Sequence, residues 1–408
     1  MSRRPRARRA DNKGRRPTRG RGSAFTSSRS GRDSSQAWVS AGALVDIDFV
    51  NDRAFQSGTL TASSVPLTIA RASSGFVDDT TGLWTSVGSN LLRRSNKGVL
   101  IEEARTNNLL QCRDMTNAAW VKGATMTVAQ NQTGIDGTAN SATLVTGGAV
   151  SGTNTVLQTI TLGSATDTYS VWLKRVSGSG TINITGNGGT VWTPAAVTTT
   201  WTKFAVTATL VNPVCGIQII TDTDSVAVDF NQLEGGAFST SPILTTTVAV
   251  TRAADNINLT SVTGVTLARG SIYAEWQHAV LPAGASALAA ELIADANNLI
   301  LMGKATTEQG VTQVVSAAST VATLVTTATI AAGTLVKAAS AYALNDFVMV
   351  DNLEATVLTD VSGAVPTGTP AMWFGSNAGA TLWLDGYLRR VTYFPARLSN
   401  AALQGLLA

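Results

Sequence analysis

From Trp38 onward the chain consists of short runs rich in Val, Ile, Thr, Trp and Phe, each closed by Gly, Asn, Asp or Ser. This pattern constrains the fold more than any other feature. Period-2 alternation with turn residues between the runs is the signature of half-buried strands. Tyr169–Val176 alternates, with Tyr169, Val171 and Leu173 on one face, and Thr181–Thr185 does the same before the turn Gly186-Asn187-Gly188-Gly189. Trp201–Thr207, Cys215–Ile220 and Ser225–Phe230 continue the series. Spacings mostly of about 10–15 residues between strands fit two antiparallel sheets packed face to face.

A second set follows Arg252: Gly270–Gln277, Leu299–Met302, Phe347–Val350, Ala371–Gly375 and Thr381–Leu384. Asp385–Phe394 comes next, with Tyr387, Arg389, Val391 and Tyr393 expected on one side. Ser399 followed by leucines at helical spacing predicts one short helix, and Ser286–Asp295 fits helix or strand. No apolar run reaches the ~20 residues of a membrane helix, because Glu291 and Asp295 interrupt the best one, Ala287–Met302. No membrane partner is expected.

Charge is distributed unevenly. The first 34 residues hold eleven arginines and Lys13 against Asp11 and Asp33, which leaves 18 basic and 24 acidic side chains for the rest. Gly and Pro recur through this arm and its only large apolar side chains are Met1 and Phe25, so it cannot build a core. Arg3, Arg4, Arg6, Arg8, Arg9, Lys13, Arg15, Arg16, Arg19 and Arg21 are the candidate anchoring residues. They suit either phosphate neutralisation on DNA or an acidic groove of a partner protein; a solvated tail without a fixed partner is the third reading. No apolar stretch follows the arginines as a secretory signal requires.

Single-residue counts exclude much chemistry. The one histidine, His278, follows Trp276 at a strand end and reads as a surface or hydrogen-bonded structural residue. The two cysteines, Cys112 and Cys215, make no disulfide framework and are expected reduced, as in a chain assembled in a cytoplasm. Glu102-Glu103 cannot flank one bond, since neighbours on a strand face opposite ways; a polar edge paired with Arg105 is expected. Asp78-Asp79 and Asp222-Thr223-Asp224 carry oxygen ligands that would suit Ca2+, but such clusters read as plain turns. No enzyme activity, cofactor or metal is expected. Tryptophan gives the best binding signal, because indole faces pack against sugar C–H groups. Trp192, preceded by Asn187 and two glycines and followed by Pro194, reads as a loop residue and is the first candidate for glycan binding. Trp84, near Gly82 and Asn90, is the second, whereas Trp172, Trp201, Trp276, Trp373 and Trp383 read as core.

Three stretches resemble bacteriophage virion proteins of the tail-fibre and head-fibre type. Ile69–Asp79 with Gly98–Leu110 and Ala119-Trp120 resembles the segment leading into a carbohydrate-binding-module-like jelly roll. Gln232–Ile243 with Thr251–Asp255 is similar to the closing strand and exit loop of that jelly roll. Leu384–Ser399 with Leu403 and Gln404 resembles the last strand and helix of a concanavalin-like, laminin-G-like sandwich. The resemblance spans residues 40–408 in outline and leaves out the basic arm.

The expected fold is therefore all-β: two antiparallel β-sandwich domains, jelly-roll and concanavalin-like, after a basic extended N-terminal arm. The expected parts are the arm 1–37, an N-terminal β segment 38–105, the jelly roll 106–252 and the concanavalin/laminin-G-like sandwich 253–408. What the resemblance implies is a structural protein of the virion, assembled in the host cytoplasm. It would be anchored by the arm to other virion proteins or DNA and would present the sandwiches to other subunits or a host-surface glycan. Proteins of that kind form homo-oligomers, most often trimers. A capsid decoration protein and a glycan depolymerase are the alternatives.

Overall fold

The computed structural model describes residues 36–149, 154–188, 190–260, 263–281 and 283–408. The candidate anchoring residues Arg3 to Arg21 lie outside them. The described chain from Val39 onward forms one compact unit. It holds thirty-one strands and one helix, so the fold is all-β and built of antiparallel sheets.

The first sandwich has two five-stranded sheets. One runs Val121–Lys122, Thr155–Thr159, Val214–Ile219, Ile182–Asn187, Val191–Ala195. The other runs Thr127–Gln132, Ala142–Thr146, Ser225–Gly235, Ala165–Ser177, Thr202–Leu210. Val171, Leu173, Val226 and Val228 of the second sheet meet Ile182, Ile184, Ile217 and Ile219 of the first in one buried core. Each is a β-branched or leucine side chain at a period-2 position, which is why the alternation in the sequence located these strands.

The second sandwich draws on both ends of the described chain. Its ten-stranded sheet sets Gly386–Phe394 beside Gly270–His278, with Val45–Asp48 and Gly98–Ile101 also pairing to Gly386–Phe394. Its seven-stranded sheet ends with Thr68–Ala70 beside Asn256–Leu259. Trp276, Leu388, Val391 and Tyr393 of the larger sheet pack on Ile300, Met302 and Phe374 of the smaller. Segment 38–105 thus supplies strands to the sheets of 253–408 and adds one separate hairpin, Gly75–Asp78 paired with Trp84–Val87. Buried Asp46 fixes that pairing, accepting from Arg390 at 2.7 and 2.8 Å and from Thr392 Oγ1 at 2.9 Å. The first sandwich is inserted between these strands, and its two ends leave side by side as the antiparallel pair Arg105–Asn107 and Val250–Arg252.

One open segment resolves and two local expectations need correction. Ser286–Asp295, open between helix and strand, is the strand Ala287–Asp295. Thr381–Leu384 is not a strand, because Asn377 Oδ1 accepts from the backbone N–H of Thr381 and Leu382 and holds the chain in a tight loop. A bulge opposite Glu275/Trp276 breaks the alternation of the last strand. Leu388, Val391 and Tyr393 therefore enter the core, while Tyr387 faces the other sandwich. The short helix is Asn400–Leu406; Ser399 Oγ caps it by accepting from Ala402 N–H at 3.2 Å, and Leu403 buries against the back of the ten-stranded sheet.

Candidate functional site

The two sandwiches meet over a small apolar cluster. Phe76, Val77, Trp84, Leu100 and Tyr387 come from one side, and Cys112, Ile135 and Phe230 from the other. Phe76 meets Phe230 edge-on at 5.2 Å, and the Arg113 guanidinium lies over the Phe230 ring at 4.4 Å.

Beside this cluster lies a buried ion network. Glu102 accepts from Arg93 Nη1 at 2.7 Å, Ser241 Oγ at 2.6 Å and Ser241 N at 2.8 Å, and Arg252 stands 3.4 Å away. Asp255 binds Arg93 and accepts from the Glu102 N–H at 3.1 Å. Arg71, Arg93 and Arg252 are all 1% exposed or less, so three guanidiniums bracket two carboxylates away from water. Burial alone would raise the Glu102 pKa, but the charges of Arg252 and Arg93 and the bonds from Ser241 and Arg93 hold it down at about 2. Of the Glu102-Glu103 pair, Glu103 does pair with Arg105 as expected, whereas Glu102 is interior rather than on a polar edge.

Next to the network opens a cavity of about 380 Å3. Its aromatic wall is Trp84 and Trp172, edge to face at 5.8 Å and 69°, with Tyr387 beside them. The Trp84 indole N–H is buried without an acceptor among the described residues. Asp78 takes the Tyr387 hydroxyl and the Lys97 ammonium. Lys203 stands directly opposite Trp172 in the strand ladder, on the face turned away from the core that holds Val171 and Leu173. Its Nζ donates to the Thr240 carbonyl at 2.6 Å, and burial lowers its pKa against the opposing pull of Glu234, Glu102 and Asp78. Ser239, Thr240 and Ser241 add polar groups to the rim.

The remaining titratable groups here are structural. His278 is fully buried, with Nδ1 2.7 Å from the Leu384 carbonyl and Nε2 accepting from Trp276 Nε1 at 3.3 Å; burial depresses its pKa to about 4. It is a neutral, hydrogen-bonded residue and not a surface one. Buried Asp385 is pushed up to about 7 by desolvation and by the nearby charges of Glu103 and Glu102.

Of the two tryptophans selected from sequence, Trp84 is in the cavity wall. Trp192 is elsewhere, on the strand Val191–Ala195 at the edge of the first sandwich and not in a loop, because its neighbours pair with Ile182–Asn187 across a bulge. Trp172, expected in the core, is half-buried and faces the cavity; Trp201 is also half-buried, under the Lys174 ammonium at 5.0 Å. The signal for Trp172 was present, since placing Val171 and Leu173 inward turns the residue between them outward. Asp79, considered as a cation ligand, accepts from Thr81 N, Thr81 Oγ1 and Leu83 N at 2.8, 2.6 and 3.2 Å, which is the geometry of a turn.

No protein-family model and no curated protein sequence matches this chain. Solved structures similar to parts of it include the CBM40 module of a Ruminococcus gnavus IT-sialidase, at 12% identity over 35% of this chain and 84% of that one, with a TM-score of 0.29. Domain 4 of an extracellular arabinanase from Geobacillus stearothermophilus, in complex with arabinotriose, reaches 16% identity over 43% and 82%, with a TM-score of 0.31. The LG4-5 domains of mouse laminin α1 reach 10% over 72% and 89%, with a TM-score of 0.23. Likenesses this distant carry no argument about ligand or role.

Proposed function

We propose that this chain is a non-enzymatic structural protein of a bacteriophage particle, of fibre or appendage type, whose inserted and host sandwiches together hold a saccharide at their junction. The basic arm attaches it to the particle, and the two sandwiches face outward as part of a homo-oligomer. The observation that carries the saccharide reading is the Trp84–Trp172 wall facing a cavity with hydroxyl, carboxylate and ammonium groups on its other sides. Flat aromatic faces pack on sugar C–H groups, and a few convergent polar groups fix orientation. The phage reading is supported by the three sequence stretches that resemble fibre proteins. The non-enzymatic reading is supported by Glu102, whose carboxylate is ionised and occupied by Arg93 and Ser241, leaving it unsuited to act as a general acid.

The test is an array of host-surface glycans probed with the purified chain and with Trp172→Ala. Selective hits that weaken about tenfold or more in the variant support the reading. An array without hits overturns the saccharide role, and a regular lattice of the labelled protein on the particle head would then make it a shell-decoration protein.

A further inference from the structure

We infer that the saccharide held in this cavity is an acidic one, whose carboxylate lies against Lys203. The inference rests on the reading of the cavity as a saccharide site and extends it to a ligand class. Charge matching around the wall carries it. Asp78 is matched by Lys97 and by the Tyr387 hydroxyl, and Glu102 by Arg93 and Arg252. His278 is neutral at physiological pH. Glu234, behind the rim, receives Thr240 Oγ1 at 2.5 Å, Thr240 N at 3.0 Å and Gln232 Nε2 at 3.0 Å, and it and Lys203 feel one another's charge without an ion-pair contact. That leaves Lys203. Among the described residues no carboxylate lies within the 4.0 Å of an ion pair to it, and its one hydrogen bond goes to a backbone carbonyl.

The Lys203 ammonium is half-buried, with the carboxylates that act on it all beyond contact distance, so much of its hydration is lost with no direct ion pair in return. A ligand carboxylate would supply the missing partner and would be bound more strongly than a neutral hydroxyl at the same place. Trp84, on the same wall and 8% exposed, has an indole N–H without an acceptor among the described residues. An ammonium and an indole N–H, both donors, call for an acceptor-rich anionic group, and the adjoining Trp172 ring accommodates the sugar face. Lys203 and Trp172 come from the inserted sandwich, Tyr387 from the outer one and Trp84 from the hairpin Gly75–Asp78/Trp84–Val87, so the acid-recognising set exists only when all are in place.

The probe is an oligosaccharide containing a uronic acid, compared with the same oligosaccharide after reduction of its carboxyl groups to alcohols, titrated into the full chain by calorimetry. The acidic form should bind about tenfold or more tighter than its reduced counterpart. Lys203→Met should remove that difference by weakening the acidic form to the level of the reduced one. Because Met fills the same volume without a charge, Lys203→Met should also unfold at the same temperature as the parent or above it, which separates lost recognition from lost folding. Trp84→Phe, which keeps a ring and removes the N–H, should weaken the acidic form several-fold. Equal binding of both forms, or a preference that survives in Lys203→Met, overturns the acidic assignment and leaves the saccharide reading standing. Binding of neither form, together with an empty glycan array, overturns the saccharide reading itself.

Discussion

Glu102 and Asp385 sit close to one another, yet their environments push them in opposite directions, and stability should follow both. Between 4.5 and about 2 the unfolded chain takes up a proton at Glu102 that the folded chain refuses, so stability falls as the pH drops through that window. Asp385 has the reverse sign. Between 3.8 and about 7 the folded chain keeps a proton that the unfolded chain has lost, so stability falls as the pH rises to about 7 and then levels. Asp385→Asn mimics the neutral acid and keeps an acceptor for the Glu103 N–H. Asparagine also tolerates the left-handed backbone at this position, where φ is +46°. The variant should be more stable than the parent at pH 8, by on the order of 2 kcal/mol, with a flatter stability profile between pH 4 and 7. Urea unfolding at several pH values measures both. Glu102→Gln should act oppositely, costing about 3–5 kcal/mol by leaving Arg71, Arg93 and Arg252 to share the one remaining carboxylate, Asp255, in the interior. A loss below about 1 kcal/mol would mean that the arginines relax towards water and that the network does not clamp the junction.

At the scale of the element, most of the fold was legible because a sandwich strand declares itself by period-2 alternation. Ala165–Ser177, Ser225–Gly235 and Gly270–His278 are each found where the alternation puts them. The misses occur where one side chain overrides the pattern. Asn377 converts Thr381–Leu384 from strand to loop, and the bulge near Arg389 shifts the faces of the last strand. Neither is encoded in the run itself. The aromatic wall of the cavity was half legible: Trp84 stands out from its turn context, whereas Trp172 reads as core although its neighbours turn it outward. Lys203 carried no signal, because only the partner strand shows what lies opposite it. The strand Gly98–Ile101 offers a test of element-level packing. Gly98 has φ +120°, and a Cβ there would stand 2.4 Å from the Leu388 carbonyl oxygen, a backbone atom that cannot step aside. Gly98→Ala should lose roughly 2–4 kcal/mol in chemical denaturation, since strain at a positive φ and a backbone clash add. An alanine variant as stable as the parent would mean that this strand does not need its close seat on Gly386–Phe394.

At the scale of the whole molecule, the decisive contacts are those that local sequence cannot report. The partners Asp46 and Arg390 are separated by 344 positions, and Thr68–Ala70 completes a sheet whose other strands lie beyond residue 255. Alternation says that these segments are strands but says nothing about which sheet receives them. The consequence is an asymmetry in autonomy. The inserted sandwich has a core of its own, running from Leu109 to Leu233, and its ends are already adjacent where Asn107 pairs with Val250. The outer sandwich takes Val45, Ile47, Phe49, Val99 and Ile101 into its core from the segment before the insertion. A fragment of residues 106–252 should therefore fold alone and unfold cooperatively. A fragment of residues 253–408 should not, because it lacks the strand Val45–Asp48 beside Gly386–Phe394 and exposes a core built to be covered. Joining residue 107 to residue 250 through a short glycine turn should restore folding of the outer sandwich while removing Trp172 and Lys203, so this chain should be folded but unable to retain the acidic saccharide. Near-UV circular dichroism and thermal melts of the three proteins decide the matter. A cooperative transition in the 253–408 fragment would show that the early strands decorate the outer sandwich rather than complete it, and the junction would then be a contact between separable domains.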